Sequence, residues 1–155
     1  QPGVGYPSYD EVKEDLLILQ PYWKYLRLYD CDQHAETVLA VIKKEQLDFK
    51  IMQGAFIEAE MNNFGCPWGG GVYEEEQLEK NKQLNLQKIK KLIQLANLYS
   101  EIIFSLSVGN EACVDWTDHY VPVSKVIEYT ELSRLSLQKP VGPPTPMGGV
   151  FIRRM

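Results

Sequence analysis

Two spacings of apolar residues take turns along this chain. Ser8 and Glu11 stand at the S-x-x-E spacing of a capping box, and Val12, Leu16 and Leu19 then recur at helical intervals up to Pro21, which predicts a helix over 9–20. The period then shortens to two. In Tyr25-Leu26-Arg27-Leu28-Tyr29 the leucines share one face and Tyr25, Arg27 and Tyr29 the other, the pattern of a strand with one apolar and one mixed face. Ala35, Val38, Leu39 and Ile42 return to a helical stripe over 35–46, with Lys43 and Lys44 near the end that favours positive charge. A second strand is expected from Phe49 to about Phe56.

From Glu58 to Tyr73 no period is sustained, and Cys66-Pro67-Trp68-Gly69-Gly70-Gly71 marks a long loop of the kind that serves function. Residues 74–100 read as one long helix, with Leu78, Asn85, Ile89, Leu92, Ile93, Ala96 and Tyr99 along a broad inner face and a solvated Lys, Glu and Gln face opposite. A third strand, 102–111, alternates: Ile102, Phe104, Leu106 and Val108 on one side, Ile103, Ser105, Ser107, Gly109 and Glu111 on the other. A last helix begins near Val123 or Ser124 and runs to about Leu137.

This order is the rhythm of right-handed βαβ units and a parallel sheet. In a doubly wound sheet both faces are covered and strands are apolar throughout. Here each strand carries polar or small residues on one side, as Arg27 and the Ser105/Ser107 pair show. That favours an α/β fold of the (β/α)-barrel kind, with parallel strands, flanking helices on one side and a polar site at the carboxyl ends of the strands. The expected arrangement is 25–30, 49–55 and 102–110 as adjacent parallel strands in that order.

Composition narrows the partners. With 155 residues and 45% apolar content the chain can bury a core as one domain. A formal charge of −5 offers no basic stripe for nucleic acid, so a neutral or cationic ligand is expected. No apolar run reaches the roughly 18 residues of a membrane span, and the opening QPGVGYPSYDEV has neither the basic nor the apolar region of a signal peptide, so a soluble chain is expected. Cys31, Cys66 and Cys113 match no metal or redox spacing. They read as small hydrophobes near strand ends, with a pairing to His34 or His119 left open as a nucleophile. No cofactor or metal is expected.

Three stretches carry a resemblance: Arg27-Leu28-Tyr29-Asp30, Lys50-Ile51-Met52-Gln53-Gly54-Ala55 and Ser107-Val108-Gly109-Asn110-Glu111. In order and spacing they resemble strands two, three and four of family 17 glycoside hydrolases, the β-1,3-glucanases and their relatives, retaining enzymes built on a (β/α)₈ barrel. The segments 22–32 and 66–73, and Val114-Asp115-Trp116-Thr117-Asp118-His119 after the Asn-Glu pair, look most like bacterial members; the likeness covers roughly residues 6 to 130. The resemblance implies a hydrolase of β-1,3-glucan or a related β-glucan, with Glu111 as general acid/base, Asn110 bonded to the sugar hydroxyl beside the reacting carbon, and Arg27 in the barrel mouth near the nucleophile. Glu111 would sit at the carboxyl rim, and partial burial among Trp and Tyr rings would raise its affinity for a proton.

Trp68 and Trp116 lie in the two loops flanking such a cleft and would stack on sugar faces, or be packed. Asp30, Asp32, Asp115 and Asp118 would bond sugar hydroxyls or cap helices, and of the four Asp30 and Asp115 are taken as site residues. A full barrel takes about 250 residues. The family's first strand is expected before Gln1 and its nucleophile, on strand seven, beyond Met155. Residues 1–138 are therefore read as a partial barrel domain, and the Pro/Gly-rich 139–155 as an extended tail that departs from the family and continues into no strand beyond Pro140-Val141. The alternative function is a carbohydrate-binding or assembly module derived from a glycosidase barrel. Either way, the outer edges of strands 25–30 and 102–110 are expected to be open and to promote self-association.

Overall fold

The computed structural model describes residues 5–138, and beyond them the strand residues 141–142, 146–147 and 149–154 as backbone. The first helix, α1, spans Tyr9–Leu19. Its capping box is closed: Ser8 Oγ accepts from Glu11 N (3.3 Å) and Glu11 Oε2 accepts from Ser8 N (2.8 Å), which satisfies two donors that a helix start leaves orphaned. Strand β1 follows at Tyr25–Leu28. Asp32 caps helix α2, Gln33–Lys44, by accepting from Ala35 N at 2.9 Å. Strand β2 is Lys50–Ala55, helix α3 Glu75–Leu98, strand β3 Ile103–Val108 and helix α4 Val123–Leu135.

Strands β1, β2 and β3 are parallel neighbours in chain order. Parallel neighbours need a long crossover, and α2 and α3 supply the two. All four helices contribute to one buried cluster with the strand residues that face them: Val12 and Leu16 of α1, Leu39 and Ile42 of α2, Ile89 and Leu92 of α3, and Val126 and Tyr129 of α4 surround Ile51, Ala55, Ile103, Leu106 and Val108. Tyr25, Arg27 and Tyr29, on the other side of the sheet, are exposed. The protein is thus an α/β structure with a small parallel sheet and its helices gathered on one side, as the polar strand faces led us to expect.

One face assignment is corrected. Ile51 pairs with Ile103 but Met52 pairs with Ser105, so Phe104 is an extra residue in β3. This bulge turns Ile103 toward the helices, where it is 1% exposed, and leaves Phe104 on the far face against Tyr25, ring centroids 5.3 Å apart at 72°. Strict alternation had placed Ile103 with the serines and Phe104 with Leu106. It holds only from Ser105 onward.

The segment after residue 138 also differs from expectation. Strands β4 (Val141–Gly142), β5 (Pro146–Met147) and β6 (Gly149–Arg154) lie within it, and β6 pairs antiparallel with β3, Ser105 opposite Arg153 and Val108 opposite Val150. The edge of β3 is therefore occupied rather than open. Val150-Phe151-Ile152 is a run of strong strand formers, and it joins the sheet despite the prolines before it.

Candidate functional site at the carboxyl ends of the strands

Parallel strands deliver their carboxyl ends to one rim, and three side-chain systems meet there. Arg27, the outward residue of β1, sits with its guanidinium 4.4 Å from the Tyr29 ring centroid, and its Nη2 donates to Asn110 Oδ1 at 3.1 Å. The contact joins residues 83 positions apart and brings the rim of β1 to the rim of β3.

Below it, Asp30 is engaged through both oxygens. Oδ1 accepts from Cys31 N (2.9 Å) and Phe56 N (3.1 Å), and Oδ2 accepts from Lys88 Nζ (3.1 Å), which also lies 3.7 Å from Glu58 Oε1. The side chain of Gln53 is fully buried and donates to the carbonyls of Asp30 (2.8 Å) and Gly54 (2.9 Å). Gly54 allows the approach: a Cβ there would lie 2.6 Å from Tyr29 O and 2.7 Å from Leu28 O. With α2 capped by Asp32, Asp30 is held by these bonds rather than by a helix start. It ties the end of β1 to the loop after β2.

That loop is held from α3. Asn85 accepts from Glu58 N (2.8 Å) and donates to Glu58 O (2.9 Å) and Glu60 Oε1 (2.8 Å), while Asn81 donates to Ala59 O (2.8 Å). Glu60, 7% exposed, accepts a further bond from the Tyr129 hydroxyl at 2.5 Å. Burial, and then the carboxylate beside it, push the Tyr129 phenol well above its ordinary value.

The rim of β3 is shaped by backbone. Gly109 has φ +73°, and a Cβ there would come within 3.2 Å of Ala112 Cβ and Ile57 Cδ1. Glu111 also lies in the left-handed region at φ +54°, uncommon for a residue with a side chain. The residue is exposed. The partial burial among aromatic rings expected from its position is thus absent: Trp116 and Trp68, 47% and 80% exposed, turn toward solvent.

The loops that carry those tryptophans are fastened to each other. Asn63 donates to the carbonyls of Asp115 (2.8 Å) and Thr117 (2.7 Å), Cys66 Sγ donates to Trp116 O (3.5 Å), and Tyr73 OH donates to Asp118 O (2.9 Å). Asp115 itself is exposed and takes part through its carbonyl. Behind the rim, His119 stands with Nε2 2.8 Å from Asn110 O and Nδ1 2.8 Å from Asp118 Oδ1, its ring 4.7 Å from that of Phe56. A cleft of about 300 Å³ opens beside Arg27 and Asp30.

Arg27 and Asn110 are therefore brought together, with Glu111 next in the chain, whereas Trp68, Trp116 and Asp115 are exposed on the flanking loops. Asn63, Asn81 and Glu60 entered no sequence reading of the site, and His119 entered only as an open partner for a cysteine and as part of the 114–119 stretch. The one trace of this network in the sequence is Asn85, a polar residue on the inner face of a helix. Two of the cysteines behave as packing groups: burial, and then the Asp30 charge, push the Cys31 thiol up to about 12, and burial raises Cys113. Such thiols are not poised as nucleophiles. Among the described residues no group of three or more His, Cys, Asp or Glu could hold a metal ion, and no helix is long and apolar enough to cross a membrane. No family model matches the chain, and neither a curated protein nor a solved structure matches it.

Proposed function

We propose that the rim of Arg27, Asn110 and Glu111 is the acid/base half of a retaining glycoside hydrolase site for β-1,3-glucan or a related β-glucan. The observation that supports it most is the Arg27–Asn110 hydrogen bond beside a Glu111 held at φ +54°. Left-handed backbone at a non-glycine residue costs on the order of 1 kcal/mol or more and persists where the surroundings impose it, often at working sites. Here it raises a carboxyl group off the end of an apolar strand into solvent. The resemblance of the three strand motifs to family 17 supplies the roles. Glu111 protonates the departing glycosidic oxygen and later takes a proton from water. Asn110 bonds the neighbouring hydroxyl, and Arg27 contributes positive charge beside the site of the second carboxylate, about 5–5.5 Å from the first in retaining enzymes.

The exposure of Glu111 and of both tryptophans favours a second reading, a rim that binds β-glucan without cleaving it. Titration of the ¹⁵N-labelled chain with laminaritriose tests what the two share: saturable shifts are expected at Arg27, Asn110, Glu111 and the indoles of Trp68 and Trp116. A spectrum indifferent to the sugar overturns both. Catalysis then separates them. Where the second carboxylate is in place, Glu111→Gln abolishes turnover of substrates with poor leaving groups but spares the first step on activated aryl glycosides. Equal activity on both types removes Glu111 from the acid role.

A further inference from the structure

Among the groups at the rim, His119 has no part in the reading above, yet both its ring nitrogens and its ring face are engaged. Its Nε2 is 2.8 Å from the carbonyl oxygen of Asn110. A carbonyl only accepts, so Nε2 carries the hydrogen and donates. Nδ1 faces Asp118 Oδ1 at 2.8 Å, and Thr117 Oγ1 lies 3.0 Å from Nδ1 and 3.3 Å from Nε2. The ring packs against Phe56, whose backbone N donates to Asp30 Oδ1 at 3.1 Å. His119 reaches Asn110 because its loop is closed at the base, where Val121 N donates to Ala112 O at 2.7 Å. Its side chain is 17% exposed, so the contact is largely shielded from water.

Asn110 is thereby held at two points, its side-chain amide by Arg27 and its carbonyl by His119. The carbonyl of Asn110 belongs to the peptide unit that leads into Glu111. Fixing that plane fixes the start of the left-handed turn, and so the direction in which the Glu111 side chain leaves the strand. We propose that His119 is the positioning residue of the rim: through Asn110 it sets the backbone from which Glu111 projects. The role assigned to Glu111 rests on the function proposed above, but the positioning itself does not.

The experiment follows the backbone and the ligand separately, on the full ¹⁵N-labelled chain. His119→Ala is expected to shift or broaden the amide resonances of Asn110, Glu111 and Ala112 while those of α2 and β2 stay in place. His119→Gln, whose amide keeps a donor near the position of Nε2, is expected to restore them. Laminaritriose should bind about threefold to tenfold more weakly to His119→Ala, the loss of one hydrogen bond, and regain its affinity in His119→Gln. Unchanged Asn110 and Glu111 resonances in His119→Ala overturn the proposal, as does a folded His119→Gln that fails to restore them. If His119→Ala does not fold, His119→Gln decides alone: wild-type resonances at Asn110 and Glu111 support the role, and their loss removes it. Should the wild-type chain ignore laminaritriose while the amides respond as expected, the glucan reading fails and the positioning role stands.

Discussion

The closest approach in the sheet gives a sharp test through Gly54→Ala. The added methyl would sit 2.6 Å from Tyr29 O and 2.7 Å from Leu28 O, about 0.7 Å inside ordinary van der Waals contact. Both neighbours are backbone, so no side chain can swing away. The strand end is moreover pinned by Gln53 donating to Asp30 O and by Asp30 accepting from Phe56 N. Relief requires the end of β1 to move off β2, an overpacking of the sort that costs typically 1–3 kcal/mol. Taking about 3 kcal/mol and a urea slope of about 2 kcal/mol/M, the unfolding midpoint should fall by about 1.5 M. Circular dichroism and tryptophan fluorescence in urea measure this directly. Gly5→Ala, with nothing within 4 Å of the new carbon, serves as the neutral control. The same displacement should move Arg27 from Asn110 and shift the Asn110 side-chain amide in the ¹⁵N spectrum. A midpoint within about 0.3 M of wild type would show that β1 and β2 do not meet at this distance, and the rim built on that register would fall with it.

Two further outcomes follow from other parts of the fold. Ile103→Ala should cost about 2–5 kcal/mol, as cavities at buried Ile positions do, and Phe104→Ala clearly less; the reverse order in urea unfolding would mean that β3 has no bulge. Cys31 titrates from 9.0 in an unfolded chain but from about 12 when folded, because burial disfavours its thiolate. The folded form therefore holds its proton more tightly: the associated stability is full below pH 9 and is lost as pH climbs toward 12, with a slope of up to about 1.4 kcal/mol per pH unit. Cys31→Ala should flatten that part of the stability profile, and an unaltered slope would refute the assignment.

The order of elements was legible because periods of 3.6 and 2 are local signals, and Ser8, Asp32 and the lysines of α2 mark helix ends within a few residues of where they form. Arg27 and Glu111 were legible as rim residues for the same reason. Phe104 was not, since a bulge is decided by the strand alongside: Ile51 and Met52, some fifty positions earlier, set which residue of β3 is extra. The pairing of β6 with β3 is equally non-local. The exposure of Glu111 depends on how the two tryptophan loops lie, and that is settled by Asn63 reaching Asp115 and Thr117 more than fifty residues away. His119 lies eight residues beyond Glu111, but a single histidine in a loop has no period to show that its ring folds back on Asn110.

The bonds from Asn63, Cys66 and Tyr73 to the opposite loop bear on the thermodynamics of occupancy. Two independent loops closing on a guest would each surrender conformational entropy, at about 0.5–1.5 kcal/mol for every rotamer-rich side chain immobilised. Here much of that ordering is complete before any guest arrives, because the loops already constrain one another. A molecule lying across the rim meets a preorganised surface. Its affinity is then governed by contact and desolvation more than by the cost of gathering the walls, and weakening the ties between the loops would raise that cost without removing a single contact to the guest.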